Sequence, residues 1–330
     1  MTKTSGHPTG LEKIGHETTR QPYAVVVGGA NIDVKAQSLA QLIPATSNPG
    51  RTATSAGGVG RNIAENISRL GTRVHLIASI GNDLLGDRLI AETVAAGVET
   101  DFVTRSISPT GTYTAVLDVD GELVAAIADM SATDELDVAL VESIAGLLAA
   151  ASMVVLDANV GADVAARVAG LAAEAGVPLL LDPVSDPKAL RIAPILQSSI
   201  PLFMITPNRT ELAALTGVST DSDSEISAAA AALLARGVEN VWVRLGERGS
   251  QLFRLGCEPI EFAAHPAVVH DVTGAGDAMA GAFVHAWVNG RPIEDAIRFA
   301  HAAAALTIAS AHTVRPDLTV ELVEAELRRM

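Results

Sequence analysis

Several absences narrow what this chain can be. It has one cysteine in 330 residues, Cys257, so no internal disulfide can form. That excludes a disulfide-stapled fold and fits a reducing, cytoplasmic setting. No local motif marks Cys257 as a catalytic thiol. Basic residues are short: 23 Lys and Arg against 38 Asp and Glu give a net charge of −15. A nucleic-acid backbone needs a basic footprint, so it is excluded as a partner. The longest apolar run, from Ile144 to Leu156, is broken by Gly146 and Ser152 and is too short to span a bilayer, so no membrane is expected as a partner. Residues 1–22 are polar and lack the apolar stretch of a secretory signal; they read as a flexible tail. No G-x-x-x-x-G-K-[ST] and no G-x-G-x-x-G occurs, which excludes a P-loop and a dinucleotide fingerprint. The eight histidines show no metal-ligand spacing and read as structural or exposed.

What is present is globular: 48% hydrophobic, 18% charged, and long enough to bury a large core. Short apolar runs alternate with Ala-rich helical stretches. Those at 24–27, 74–78, 153–156, 179–181, 202–205 and 241–243 read as buried strands of a parallel sheet. Between them Ile63, Ala64, Ile67 and Leu70 share a helical face, and Ser222 with Glu225 forms a capping box. The alternation predicts a three-layer α/β core over 23–330. Two segments interrupt it. Residues 34–55 are rich in Pro, Ser and Thr, and 112–127 read as two strands around Asp118-Val119-Asp120-Gly121. Together they suggest a small β-structured lid inserted into one core domain.

The chemistry concentrates in Asp271-Val272-Thr273-Gly274-Ala275-Gly276-Asp277, which opens an apolar helical run. The small residues let the backbone turn so that N–H groups of Gly274, Ala275 and Gly276 converge at a helix N-terminus, where an anion is favoured. Asp277 sets a carboxylate beside that spot. A base next to an anion hole is what phosphorylation of a hydroxyl requires; the same stretch also reads as a Gly-rich turn capped by Asp277. Asn31 and Asp33 follow the first strand and can bond vicinal sugar hydroxyls, or be solvated turn residues. In Gly57-Gly58-Val59-Gly60-Arg61-Asn62, glycines permit close approach of a ligand and Asn62 faces the same crevice. Asn208 and Glu211 read first as an ordinary helix start, and alternatively as oxygen donors to Mg²⁺ through its waters. Arg244, in Val243-Arg244-Leu245-Gly246, can pair with phosphates or be solvated.

Two of these stretches carry a resemblance. Residues 271–277 are similar to the C-terminal signature of the ribokinase, or PfkB, family of carbohydrate and nucleoside kinases, and residues 56–64 to its N-terminal signature. The likeness runs from Tyr23 to the C-terminus. It implies the three-layer ribokinase-like fold, with a lid that closes over the sugar and makes a homodimer contact. It also implies a small-molecule nucleoside or sugar substrate with ATP and Mg²⁺ as cofactors. In this likeness Asp277 is the base, Asn31, Asp33, Gly58 and Asn62 hold the sugar, and Asn208 and Glu211 serve Mg²⁺. Arg244, Gly246 and Thr273 lie by the nucleotide, with residues 301–312 as its other wall. Asp271 and Thr273 match K⁺ ligand positions. The family commonly has Thr or Ser where Arg244 stands. The form Gly57-Gly58-Val59-Gly60-Arg61-Asn62, with Ser47-Asn48-Pro49-Gly50 upstream, resembles the pseudouridine kinase branch. So do the stretches around Asp129, Asn159 and Lys188, which become base-contact candidates, or else solvated loop residues; that branch often has Asn where Ala128 stands. A ribose or keto-sugar acid kinase and a non-catalytic nucleoside sensor remain the alternatives.

Overall fold

The computed structural model describes residues 21–197 and 200–329. The expected tail therefore lies, except for its last two residues, outside the described residues. In chain order the strands are β1 (Tyr23–Val27), β2 (Asn31–Ser38), β3 (Gly50–Gly57), β4 (Arg73–Ile77), β5 (Ser79–Gly81), β6 (Thr104–Ser106), β7 (Thr112–Leu117), β8 (Leu123–Asp129), β9 (Met153–Asp157), β10 (Leu179–Asp182), β11 (Leu202–Ile205), β12 (Val238–Arg244), β13 (Ser250–Arg254) and β14 (Ile260–Phe262).

The main sheet has eight strands in the order β14-β13-β12-β11-β10-β9-β1-β4. It is parallel from β4 to β12, and β13 and β14 add an antiparallel edge. Both faces are covered, which is why its strands read as continuous apolar runs. Within a strand, neighbouring residues serve opposite cores. Ala24 and Val26 join one cluster with helices Val59–Arg69, Ala275–Val288 and Ile293–Ile308. Val25 and Val27 join the other, with helices Ala162–Ala175, Arg209–Thr216 and Asp223–Leu234. The strand period of two thus divides the core into the two outer spaces of a three-layer sandwich.

A four-stranded sheet in the order β3-β2-β7-β8 stands beside this core. It extends beyond the segments expected from sequence: register begins at Asn31↔Gly57 on one hairpin and reaches Thr112↔Asp129 on the other. Because successive strand residues alternate faces, Asn31, Asp33 and Lys35 share one face of β2. Strand β8 is exposed along its length, with Leu123, Val124 and Ile127 in the open. Among the described residues, no helix is long and apolar enough to cross a membrane.

Two helices deliver the central side chains. Helix Val59–Arg69 starts behind Gly58, whose φ is 95°, and packs on helix Ala275–Val288. The two come close because position 281 is glycine: a Cβ there would lie 2.6 Å from Cβ of Asn66. That approach brings Asn62 of the first helix onto Asp277 of the second.

Candidate active site

A cavity of about 850 Å³ opens where the C-terminal ends of the parallel strands meet these helices. Ligands of open α/β sheets bind in this position. Asp277 lies on its floor and accepts a hydrogen bond from Asn62 Nδ2 at 2.8 Å. Asn62 is itself oriented by Arg61, whose Nη1 donates to Asn62 Oδ1 at 3.3 Å. Arg61 is buried and paired with Glu65 at 2.5 Å, so the amide's direction is set from inside the fold.

Protein surrounds the Asp277 carboxyl while the residue keeps a partly open face to the cavity. This burial raises its pKa to about 7, with Asp182 and Asp157 adding like charge against the Asn62 hydrogen bond and Arg244. A carboxylate titrating near neutrality is suited to accept a proton from a hydroxyl.

Immediately before it, Gly274 adopts φ 81° as N-cap of helix Ala275–Val288, and a Cβ there would lie 2.1 Å from the Thr313 carbonyl oxygen. Only glycine fits this turn. Ala275 and Gly276 occupy the first helical positions and line the cavity; neither N–H has a partner within the helix, Ala275 N making only a 3.3 Å bond to the Val272 carbonyl, so both can turn to an anion.

Arg244 ends β12 and lies against the same turn: a Cβ on Gly276 would come 2.4 Å from its Nη1. Its guanidinium bridges Asp182 Oδ2 at 3.2 Å and Glu211 Oε2 at 3.3 Å. Burial works against its charge, but Asp182, Glu211 and Asp277 outweigh it and hold its pKa above the ordinary value. Burial pushes the Glu211 carboxyl up, with Arg244 opposing.

The Asn208–Glu211 pair forms a capping box: Asn208 Oδ1 accepts from Glu211 N at 2.9 Å, and Glu211 Oε2 accepts from Asn208 N at 2.8 Å. The helix-start reading therefore holds, and both residues also line the cavity. Among the described residues, no group of three or more His, Cys, Asp or Glu is placed to hold a metal directly. Asp182, Asn208 and Glu211 are hard-oxygen residues on the lining that could face the retained waters of Mg²⁺, although Asp182 Oδ2 and Glu211 Oε2 already accept from Arg244 and Asn208 Oδ1 from Glu211 N. Gly246 lines the cavity at φ 63°, and His301, Ala304, Ala305 and Ile308 form the wall expected from residues 301–312. Val184, also on the lining, has φ 67°, a strained conformation for a β-branched residue.

Beside the cavity, Asn31 Nδ2 donates to Asp33 Oδ1 at 2.7 Å, and burial raises the Asp33 pKa. The Asp33 carboxyl lies over Gly57, where a Cβ would fall 2.4 Å from it. Gly58 touches Gly29 and Ala30, closing the loop around the same spot. Asp157, at the end of β9, lies fully buried beneath Gly28 and accepts from Gly29 N at 2.9 Å and Asn159 N at 2.8 Å. The Asn159 side chain lies against Gly29, and its Oδ1 accepts from Lys188 Nζ. Burial lowers the Lys188 pKa. Asp129 is exposed at the end of β8, its Oδ1 held by Ser131 N at 3.0 Å and Oγ at 2.6 Å.

The Asp271 carboxylate does not present free oxygens for K⁺. Asp271 Oδ2 accepts from Lys35 Nζ at 2.8 Å, and its Oδ1 from Thr273 N at 2.8 Å. The Ile308 carbonyl is likewise taken, by His270 N at 2.7 Å and Asp271 N at 3.2 Å. Burial opposes the Asp271 charge, but Lys35 and Thr273 hold its pKa down at about 2. The Asp271 carboxylate, already carrying an ammonium, does not fit a K⁺ ligand.

Sequence reasoning missed four participants: Asp157 and Asp182 as buried partners, Arg61 as the support of Asn62, and Lys35. For the first two a signal existed, since each is the carboxylate that closes a buried parallel strand, and the two are in register. Lys35 gave none, because its partner is 236 residues away.

Comparison with known proteins agrees with this geometry. Residues 21–319 match the profile of the pfkB family carbohydrate kinase. Pseudouridine kinase of Escherichia coli (strain K12) is 32% identical over 301 residues, covering 90% of this chain and 94% of that one. Ribokinase of Arabidopsis thaliana is 35% identical over 303 residues, covering 87% of this chain and 76% of that one. The structure of Arabidopsis thaliana ribokinase complexed with ribose and ATP superposes with a TM-score of 0.82 at 30% identity, covering 94% of this chain and 99% of that one.

Proposed function

The chain belongs to the pfkB family of carbohydrate kinases, and within it we propose that it transfers the γ-phosphoryl group of ATP to the 5′-hydroxyl of pseudouridine. The ribose lies over Gly58, its hydroxyls bonded by Asn31, Asp33 and Asn62. Asp277 takes the proton of the 5′-hydroxyl as that oxygen attacks the γ-phosphorus in line and the bond to the β-phosphate oxygen breaks, releasing ADP. N–H groups of Gly274, Ala275 and Gly276 stabilise charge on the transferring group. Arg244, beside Gly276, adds a fixed positive charge there. Asp182, Asn208 and Glu211 are the residues that would face the waters of a bound Mg²⁺, which would supply charge neutralisation on the polyphosphate. The small sheet acts as the lid over the sugar, and exposed β8 suits a homodimer contact.

The observation that carries the nucleoside reading is a polar pair beyond the sugar contacts, buried Asn159 with half-buried Lys188. Asn159 lies against Gly29, next to the Asn31–Asp33 pair, and is bonded by Lys188. A bare sugar needs no polar groups there; a base does. Pseudouridine has a C–C glycosidic bond and presents an N–H edge where uridine presents C–H. Asn159 Oδ1 is engaged by Lys188, so Asp129 is the acceptor for that edge, and Lys188 can read a ring carbonyl. The similarity to E. coli pseudouridine kinase supports the same reading.

The second reading is a sugar kinase. It draws on the 35% identity to Arabidopsis ribokinase, and Lys188 would also suit a carboxylate of a keto-sugar acid. A coupled ADP-release assay across nucleosides, ribose and keto-sugar acids decides between them. Pseudouridine should give the highest kcat/KM. A higher value for ribose or a sugar acid contradicts the nucleoside assignment, and no ADP with any acceptor leaves only a non-catalytic nucleoside sensor.

A further inference from the structure

We propose that Lys35 is a tethered cation that takes the place of a mobile monovalent ion beside the anion hole and ties the substrate strand to that turn; this rests on the kinase reading above. Three observations carry it.

First, Lys35 stands two residues after Asp33 on central strand β2 and on the same face, so the strand that offers Asn31 and Asp33 to the sugar also offers an ammonium group. Second, that ammonium meets Asp271 Oδ2 at 2.8 Å, and the same carboxylate binds Thr273 N through Oδ1. One carboxylate thus joins the small sheet to the residue preceding Gly274, whose tight φ 81° turn aims the helix N-terminus. Third, three oxygens a free ion would draw on are already engaged: both Asp271 oxygens are bonded, and the Ile308 carbonyl accepts two N–H groups.

A fixed positive charge next to a phosphate turn lowers the cost of gathering anionic oxygens there, and a covalently held one needs no ion from solution. Lys35 is not among the residues lining the cavity that holds Asp277 and Gly276; it is a positioning residue acting through Asp271.

The test compares wild type, Lys35→Met and Lys35→Arg in potassium chloride and in tetramethylammonium chloride at equal ionic strength. Three quantities are read: the unfolding midpoint, the affinity for a non-hydrolysable ATP analogue with Mg²⁺ by calorimetry, and kcat. Wild type should behave alike in both salts. Lys35→Met in tetramethylammonium should lose roughly 10- to 100-fold in kcat, the scale of a small misplacement at a reacting centre, and should lose analogue affinity in the same direction. Potassium should restore both and raise its unfolding midpoint, as binding of an ion to the vacated carboxylate requires. Lys35→Arg should retain wild-type behaviour.

Three outcomes would overturn the proposal. One is a wild type that itself depends on potassium. Another is Lys35→Met matching wild type in tetramethylammonium. The third is a loss in Lys35→Met that potassium does not restore. Unfolding and analogue binding need no phosphoryl acceptor, so an error in the substrate assignment leaves these readouts intact. A failure of the kinase reading itself would show separately, as absence of analogue binding by wild type.

Discussion

Replacing Asp277 with Asn separates its catalytic role from its energetic cost. The amide is nearly isosteric, and its oxygen can still accept the 2.8 Å hydrogen bond from Asn62, so the site should keep its shape. Catalytically, kcat should fall by roughly 10²–10⁴-fold, the range for loss of a positioned general base, while substrate affinity persists. The same variant should be more stable than wild type, and increasingly so as pH rises. Burial and the neighbouring Asp182 and Asp157 raise the Asp277 pKa from 3.8 to about 7. The folded protein therefore holds a proton on Asp277 that the unfolded chain releases between those values. Stability falls as pH rises through that window, and the full cost of the buried charge is present above pH 7. At about 1.4 kcal/mol per pH unit, the cost is on the order of 4 kcal/mol. One kcal/mol moves Tm by about 2 °C in a chain of this size. Asp277→Asn should thus melt higher than wild type by about 8 °C at pH 8.5, where the full cost is present, and by only about 3 °C at pH 5, where a little over a third of the window from 3.8 to 7 has been crossed. Scanning calorimetry at the two pH values, with steady-state kinetics on the same preparations, checks both halves. A kcat within about threefold of wild type would remove Asp277 from the base role. An equal Tm difference at both pH values would show that its charge is not strained by the fold.

Other substitutions probe the rest of the site. Wild-type kcat/KM should rise with pH through about 7 as Asp277 ionises, and a flat profile from pH 5.5 to 8.5 would contradict that. Asp33→Ala should raise the nucleoside KM by the loss of charged hydrogen bonds, about 1.5–3 kcal/mol each, with ATP affinity unchanged; a fall in ATP affinity instead would misplace the sugar. Gly274→Ala must either leave φ 81° or collide with the Thr313 carbonyl, so kcat should drop while the protein stays folded, checked by kinetics beside a melting curve. Arg244→Met leaves Asp182 and Glu211 buried without their cation and should cost about 3–5 kcal/mol in denaturant titrations at pH 8, the scale for breaking a buried pair; unchanged stability would show that the two carboxylates are neutral.

Much of this molecule was legible in its sequence, for identifiable reasons. β1, β4 and β9 to β12 are covered on both faces, so each reads as an unbroken apolar run. The capping box at Ser222 and Glu225 is a local device and was visible as such. The antiparallel edge of β13 and β14 was not. Ser250, Gln251 and Arg254 interrupt the apolar pattern, and Ser250 is buried only because Trp242 and His301 both bond it. The glycine turn before Asp277 announced an anion site because its chemistry is contiguous. The groups that tune that site come from elsewhere in the chain: Asp157 and Asp182 from two other strands, Arg61 from behind Asn62, and Lys35 from the small sheet. Asn208 and Glu211 show why two local readings can both apply, since a capping box also delivers Glu211 to Arg244.

The most direct test of the central claim is a competition in one tube. Equimolar pseudouridine, uridine and ribose are offered limiting ATP and Mg²⁺, and the phosphorylated products are identified by ³¹P and proton NMR. Pseudouridine 5′-phosphate should dominate, because uridine and ribose offer no ring N–H to Asp129, and ribose also offers no ring carbonyl to Lys188. Ribose phosphate as the main product, equal labelling of uridine, or phosphate on any hydroxyl other than the 5′ would contradict it.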